Sequence, residues 1–287
     1  MRKFTPAVIV FSLATLASAL DQTAYTAAVE LYTQRRPLEA QKAFEALAVT
    51  APDNANIQFY LGRLALQRGD QEKAVAYLEK AVALAPQDSR MQLRLGDAYG
   101  LMAQKAGLFS KMSWAGKCRS AYEKAVELDP ASVDARWSLM EFCRQAPSMV
   151  GGGTDKALVQ ANEIKKLDPS RSRIALASVY VADKKYDLAF GEFDQALQAN
   201  PADYSALFQT GRLAAISGQQ LDRGLGLLRQ CLAQTPPEGQ PGHAAVHWRI
   251  GNILEKKSDP AGARAAYEAA LKIDSKFPQA LEALKKL

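Results

Sequence analysis

Histidine occurs twice in this chain, at His243 and His247, and the i, i+4 spacing puts both imidazoles on one helical face. Such a pair can grip a metal ion, but the sequence places no third ligand beside it and no glutamate at His-Glu-x-x-His spacing. Both are therefore expected to be ordinary helix-start residues, with no metal. Two histidines also leave little material for a serine or cysteine triad. Gly151-Gly152-Gly153 ahead of a helix suggests a phosphate cradle, but the Lys-Ser/Thr ending of that motif is missing, and Thr154-Asp155 read as the cap of the helix. Gly224-Leu225-Gly226 sits inside a helical pattern with no strand before it, which removes a dinucleotide loop. Cys118, Cys143 and Cys231 are few and odd in number. They read as small buried hydrophobes, with a Cys118–Cys143 pair as the alternative. No enzyme signature and no cofactor site emerges.

The N-terminus has its own logic. Met1-Arg2-Lys3 is positive, Ala7 to Leu16 is apolar apart from Ser12 and Thr15, and Ala17-Ser18-Ala19 offers small residues for cleavage. That is the pattern of a signal peptide cut after Ala19, so residues 1–19 are expected to be removed and the protein to be periplasmic or secreted. The apolar run is well short of the roughly 20 residues that a spanning helix needs. The formal charge of +6 is spread over pairs such as Lys165-Lys166, Lys184-Lys185 and Lys256-Lys257, with no long basic run. Pairs of this kind are solvated helix faces, and no nucleic-acid partner is expected.

The elements that position these residues repeat. Pro52, Pro86, Pro130, Pro169, Pro201 and Pro236 each follow a small residue by twelve positions: Ala40, Ala74, Cys118, Ala157, Ala189 and Gly224. Ser275 after Ala263 keeps the same spacing. Within one unit, Phe59 to Ala65 fall on one helix, Gly69-Asp70 breaks it, and Ala74, Leu78, Ala81 and Val82 form the stripe of a second helix that Pro86 stops. A fixed period of this size marks a stack of one supersecondary unit.

The pattern resembles the tetratricopeptide repeat. Its Leu-Gly pair matches Leu61-Gly62, Leu95-Gly96 and Ile250-Gly251, and degenerates at Ala27-Ala28, Leu139-Met140, Leu176-Ala177 and Thr210-Gly211. Its helix-B aromatic matches Phe44, Tyr122, Phe193 and Tyr267, with Leu78, Ala161 and Leu228 as departures. The resemblance implies an all-α, right-handed α-solenoid of seven helix-turn-helix units, at about 21–54, 55–88, 89–131, 132–169, 170–203, 204–238 and 244–276, with a capping helix at 277–287. A capped array is expected to be a monomer.

The ruler slips in three places. Cys118 follows Leu95 by 23 positions where Ala74 follows Leu61 by 13, and the extra residues lie in 101–117 with the apolar Leu108, Phe109, Met112 and Trp114. Either the helices lengthen there and these side chains pack on each other, or they form an apolar docking knob. The stretch from Ala146 to Gly153 reads as a variant inter-helix turn, and Pro237 to His243 as a plain loop.

In the family that this chain resembles, the A helices line a concave groove and position five of each unit faces it. That implies a row of Tyr25, Phe59, Leu93, Trp137, Ile174, Phe208 and Trp248, with polar Arg63, Asp97, Glu141, Ser178, Arg212 and Asn252 at position nine and Arg94 and Arg249 at position six. Aromatics beside arginines suit an extended peptide whose carboxylates meet guanidinium forks. The carboxylate clamp of chaperone-binding members, Lys and Asn one turn apart, is missing, since Tyr25/Val29 and Phe59/Arg63 stand there. The implied function is a non-catalytic scaffold that binds a protein or peptide. The alternative is a module for a lipid or other apolar small molecule at 101–117.

Overall fold

The computed structural model describes residues 21–287, so the expected signal peptide lies outside the described residues. These form fifteen α-helices with no strand among them, and no helix among them is long and apolar enough to cross a membrane. They fall into two compact units. The first, ending at Asp129, holds α1 (Gln22–Thr33), α2 (Pro37–Thr50), α3 (Ala55–Gln67), α4 (Gln71–Leu84), α5 (Ser89–Lys105) and α6 (Leu108–Leu128). The second, from Pro130, holds α7 (Val133–Gln145), α8 (Thr154–Leu167), α9 (Pro169–Ala182), α10 (Tyr186–Ala199), α11 (Tyr204–Ser217), α12 (Leu221–Leu232), α13 (His243–Lys256), α14 (Pro260–Ile273) and α15 (Pro278–Leu284). Odd-numbered helices up to α13 are the A helices, each packed on the B helix that follows, and α15 lies on α14.

Local chemistry sets these boundaries. Asp21, Asn54, Asp88, Ser132, Asp168 and Asp203 cap A helices by accepting backbone N–H groups with their side chains, which satisfies donors the helix leaves free. Four A–B turns pass through one left-handed residue, namely Arg35, Gly69, Lys184 and Ser258, with φ between 57° and 73°. Pro169 departs from the expected role of terminator. It is the first residue of α9, where a missing N–H costs nothing, and Asp168 alone joins α8 to α9. Thr154 is not the cap of α8: that position is Gly153 at φ 142°, and the threonine hydroxyl donates to Asp183 Oδ1 at 2.8 Å. The triple-glycine turn spends its N–H groups internally, Gly151 on Ser148, Gly152 on Pro147 and Gly153 on Cys143. A phosphate cradle is thereby excluded on geometry.

Each helix pair closes at one crossing. Gly62 lies under Leu78, Gly96 under Tyr122, Gly211 under Leu228 and Gly251 under Tyr267, and a Cβ on any of these glycines would come within 3 Å of the facing side chain. Where the sequence departs from Gly, the sizes still fit the space. In the α7–α8 pair the A-helix residue is the large Met140 and the B-helix residue the small Ala161, both fully buried. The cysteines belong to this core. All three are buried thiols, so the alternative of a Cys118–Cys143 disulfide does not hold. Burial pushes the Cys118 and Cys231 thiols up to about 12.

Gly251→Val should lower stability by about 1–3 kcal/mol, because overpacked side chains must leave their rotamers. Gly226→Ala, on α12 with open space around it, should be neutral or raise stability by up to about 1 kcal/mol. Thermal unfolding of the two variants checks the contrast. A thiol-titrating disulfide reagent at pH 8 should label the folded chain slowly and all three cysteines at once in denaturant.

Candidate functional site

The implied groove row divides once its side chains are placed. Phe59 and Phe208, each 5 % exposed, and Leu93, 6 % exposed, belong to the core rather than to a surface. Tyr25, Trp137, Ile174 and Trp248 are half-buried and keep an accessible edge.

In the first unit Tyr25, Tyr32, Phe44, Phe59 and Tyr60 form one cluster. Phe44 stacks on Tyr60 at 4.8 Å between centroids, while Tyr25 meets both rings edge-on at 6.2 and 6.4 Å. Arg63 sits above it, its guanidinium carbon 4.7 Å from the centre of Tyr32, 5.4 Å from Phe59 and 5.9 Å from Tyr60. A cation over aromatic faces is held by the ring quadrupoles and keeps its N–H groups for another acceptor. Arg94 is occupied, since its Nη1 donates to Asp97 Oδ2 at 2.7 Å. Asp97 Oδ1 also accepts from the Tyr122 hydroxyl at 2.9 Å. Burial and that carboxylate hold the Tyr122 hydroxyl well above the usual phenol range, so it stays a donor. Asp97 is thus an internal strut rather than a groove acid.

The second unit repeats the strut with an amide. Asn252 Nδ2 donates to the Tyr267 hydroxyl at 2.9 Å, and its Oδ1 accepts from Arg249 Nη1 at 3.3 Å. The Arg249 guanidinium lies 3.8 Å from the Trp248 centroid, and Trp248 meets Phe277 edge-on at 6.0 Å. Arg212 Nη1 reaches the Gln209 side-chain oxygen at 3.2 Å. Trp137 carries Arg171 at 5.5 Å, itself paired with Asp134 at 2.9 Å. Tyr32 and Tyr60 were not anticipated as part of an arginine platform, although both aromatics are plain in the sequence on the A helices.

The insertion at 101–117 lengthens both helices of its pair and ends in a tip. Leu108, Phe109 and Met112 are 74, 90 and 41 % exposed, so the lengthened pair leaves them uncovered. Trp114 does pack, its ring 5.7 Å from Tyr99, with Lys117 Nζ 4.7 Å above it. An open cavity of about 550 Å³ between α5 and α6 is lined by Leu95, Tyr99, Met112, Gly116 and Lys117, among others. His243 starts α13 as expected, its Nε2 2.8 Å from the Gln234 carbonyl oxygen. Among the described residues no group of three or more His, Cys, Asp or Glu side chains is placed to hold a metal ion.

Known proteins share this architecture. The chain resembles a crystal structure of a tetratricopeptide repeat protein from Parabacteroides merdae with a TM-score of 0.67 at 14 % identity, covering 92 % of this chain and 96 % of that one. A thermophilic TPR protein from Thermus thermophilus gives a TM-score of 0.53 at 22 % identity, over 68 % of this chain and 97 % of the other. Superkiller protein 3 of Schizosaccharomyces pombe is 23 % identical over 128 residues, which is 44 % of this chain but only 9 % of that much longer protein. The family model described as tetratricopeptide repeat matches residues 25–99, 174–238 and 217–280, most of the chain. With seven helix pairs closed at small residues and capped by α15, the protein belongs to the tetratricopeptide repeat family.

Proposed function

We propose that this protein is an exported, non-catalytic scaffold of the cell envelope that binds a protein or peptide on its helix-A surfaces as a monomer. The tetratricopeptide fold supports a protein–protein interaction role. The observation that carries the finer reading is Arg63, spread over three aromatic rings with its N–H groups left for an acceptor. Peptide backbones and carboxylates supply such acceptors, and flanking aromatics supply contact area at low entropic cost. Export is supported by the charged, apolar and small-residue succession of the first nineteen residues.

A second reading, binding of a lipid or other apolar small molecule, is favoured by Leu108 and Phe109, which stand exposed at the start of α6, and by the cavity between α5 and α6 that Met112 of the same insertion lines. Affinity capture with the full chain from the envelope fraction of its host separates the two. The expected outcome is a retained protein that falls at least tenfold on Arg63→Ala and is indifferent to Phe109→Ser. Retention of lipid without protein, lost on Phe109→Ser, replaces the scaffold reading with the second one.

A further inference from the structure

Helices α11 and α13 pack on each other in the second unit, and each carries an arginine, Arg212 and Arg249, while the carboxylate that acts on Arg212, Glu141, is shared with Arg144. Glu141 accepts from Arg144 at 2.6, 3.2 and 3.3 Å and from Gln145 at 2.8 Å, so both of its oxygens are engaged. Arg212 on α11 and Arg249 on α13 have amide oxygens as their hydrogen-bond acceptors, Gln209 for one and Asn252 for the other. The Arg249 Nε is buried with no hydrogen-bond partner. Burial, first of all, holds both guanidiniums below their usual range, with the charge of Arg144 adding to it at Arg212 and that of Arg212 at Arg249, which falls to about 10. A half-buried charge is costly unless it is paired, and among the described ion pairs neither arginine has a carboxylate of its own, Arg249 resting on the Trp248 ring and Arg212 near a Glu141 that is bound to Arg144.

The repeat supplies its own control. Arg94 and Arg249 occupy the same position in their units, each with a partner three residues on and a helix-B tyrosine beyond it. In one unit that partner is Asp97, which neutralises Arg94 at 2.7 Å and holds Tyr122. In the other it is Asn252, which still holds Tyr267 but brings no charge. Architecture needs the strut, and the strut works with an amide, so the charge on Arg249 is left over.

We propose that Arg212 and Arg249 form a receptor for the side-chain carboxylate of an acidic peptide segment, seated beside the Trp248 ring; this rests on the scaffold reading above. Paired planar guanidinium forks match a carboxylate, and the Trp248–Phe277 rim suits an apolar residue next to the acid in the bound segment.

Peptides displayed on phage would be selected on the full chain, synthesised with amidated or free C-termini, and titrated by fluorescence anisotropy. Selected peptides should carry Asp or Glu, and changing that residue to Asn or Gln should weaken binding at least tenfold. Asn252→Asp should weaken it comparably while keeping the native melting temperature, because it neutralises Arg249 and accepts from the Tyr267 hydroxyl as Asp97 does from Tyr122. In the Arg212→Gln/Arg249→Gln double variant the acid-to-amide change in the peptide should have no further effect. Peptides that bind the double variant as tightly as the native chain, or that need only a free C-terminal carboxylate, overturn the assignment and leave the scaffold reading standing. Failure to select any peptide removes both.

Discussion

The close crossing of helix A over helix B is the contact on which this structure depends. At Gly62, Gly96, Gly211 and Gly251 the A-helix backbone comes so near the facing Leu or Tyr that no Cβ fits. Two helices this close exclude water from the whole stripe between them, so burial follows from the crossing rather than the reverse. The period also follows. Each pair must present its next small residue one unit further on, and the capping Asp, Asn or Ser then fixes where each A helix begins.

This explains why the architecture was legible in the sequence. The small residue, its large partner and the terminating proline recur at set distances, and a one-dimensional spacing encodes a contact made within one unit. The errors fall where a residue has two possible roles. Pro169 can stop a helix or start one, and only the absence of a loop before α9 decides between them. Thr154 can cap α8 or reach out of it, and the position of Asp183 settles the matter. In the α7–α8 pair the order of sizes is reversed, with the large Met140 on the A helix and the small Ala161 on the B helix, both buried, which a search for one pattern counts as degeneration.

Binding residues were far less legible. Position five is defined by distance along one helix, but its exposure depends on what the adjacent pair places against it. Phe59 and Phe208 are therefore core while Trp137 and Trp248 keep an edge. The exposure of Leu108 and Phe109 was likewise undetermined by composition, since a lengthened helix pair can either cover its own tip or present it. Charge state is more distant still from sequence. An arginine three residues before an acid looks the same as one three residues before an amide until the hydrogen bonds are drawn.

Position nine shows how structure and binding share one slot. Where the helix-B residue is Tyr122 or Tyr267, the slot holds Asp97 or Asn252 and its polar atoms bind the tyrosine hydroxyl. Where helix B has Leu78 or Leu228, there is no hydroxyl to satisfy, and the slot holds Arg63 or Arg212. An aliphatic partner asks only for an apolar stem, which arginine supplies, and the head group is left for other groups, aromatic rings for Arg63 and the Gln209 amide oxygen for Arg212. The choice between tyrosine and leucine on helix B thereby decides whether the A-helix side chain is spent on the fold or released toward a ligand. Under this rule a repeat can change its recognition surface through a substitution on the opposite helix, at a position no ligand touches.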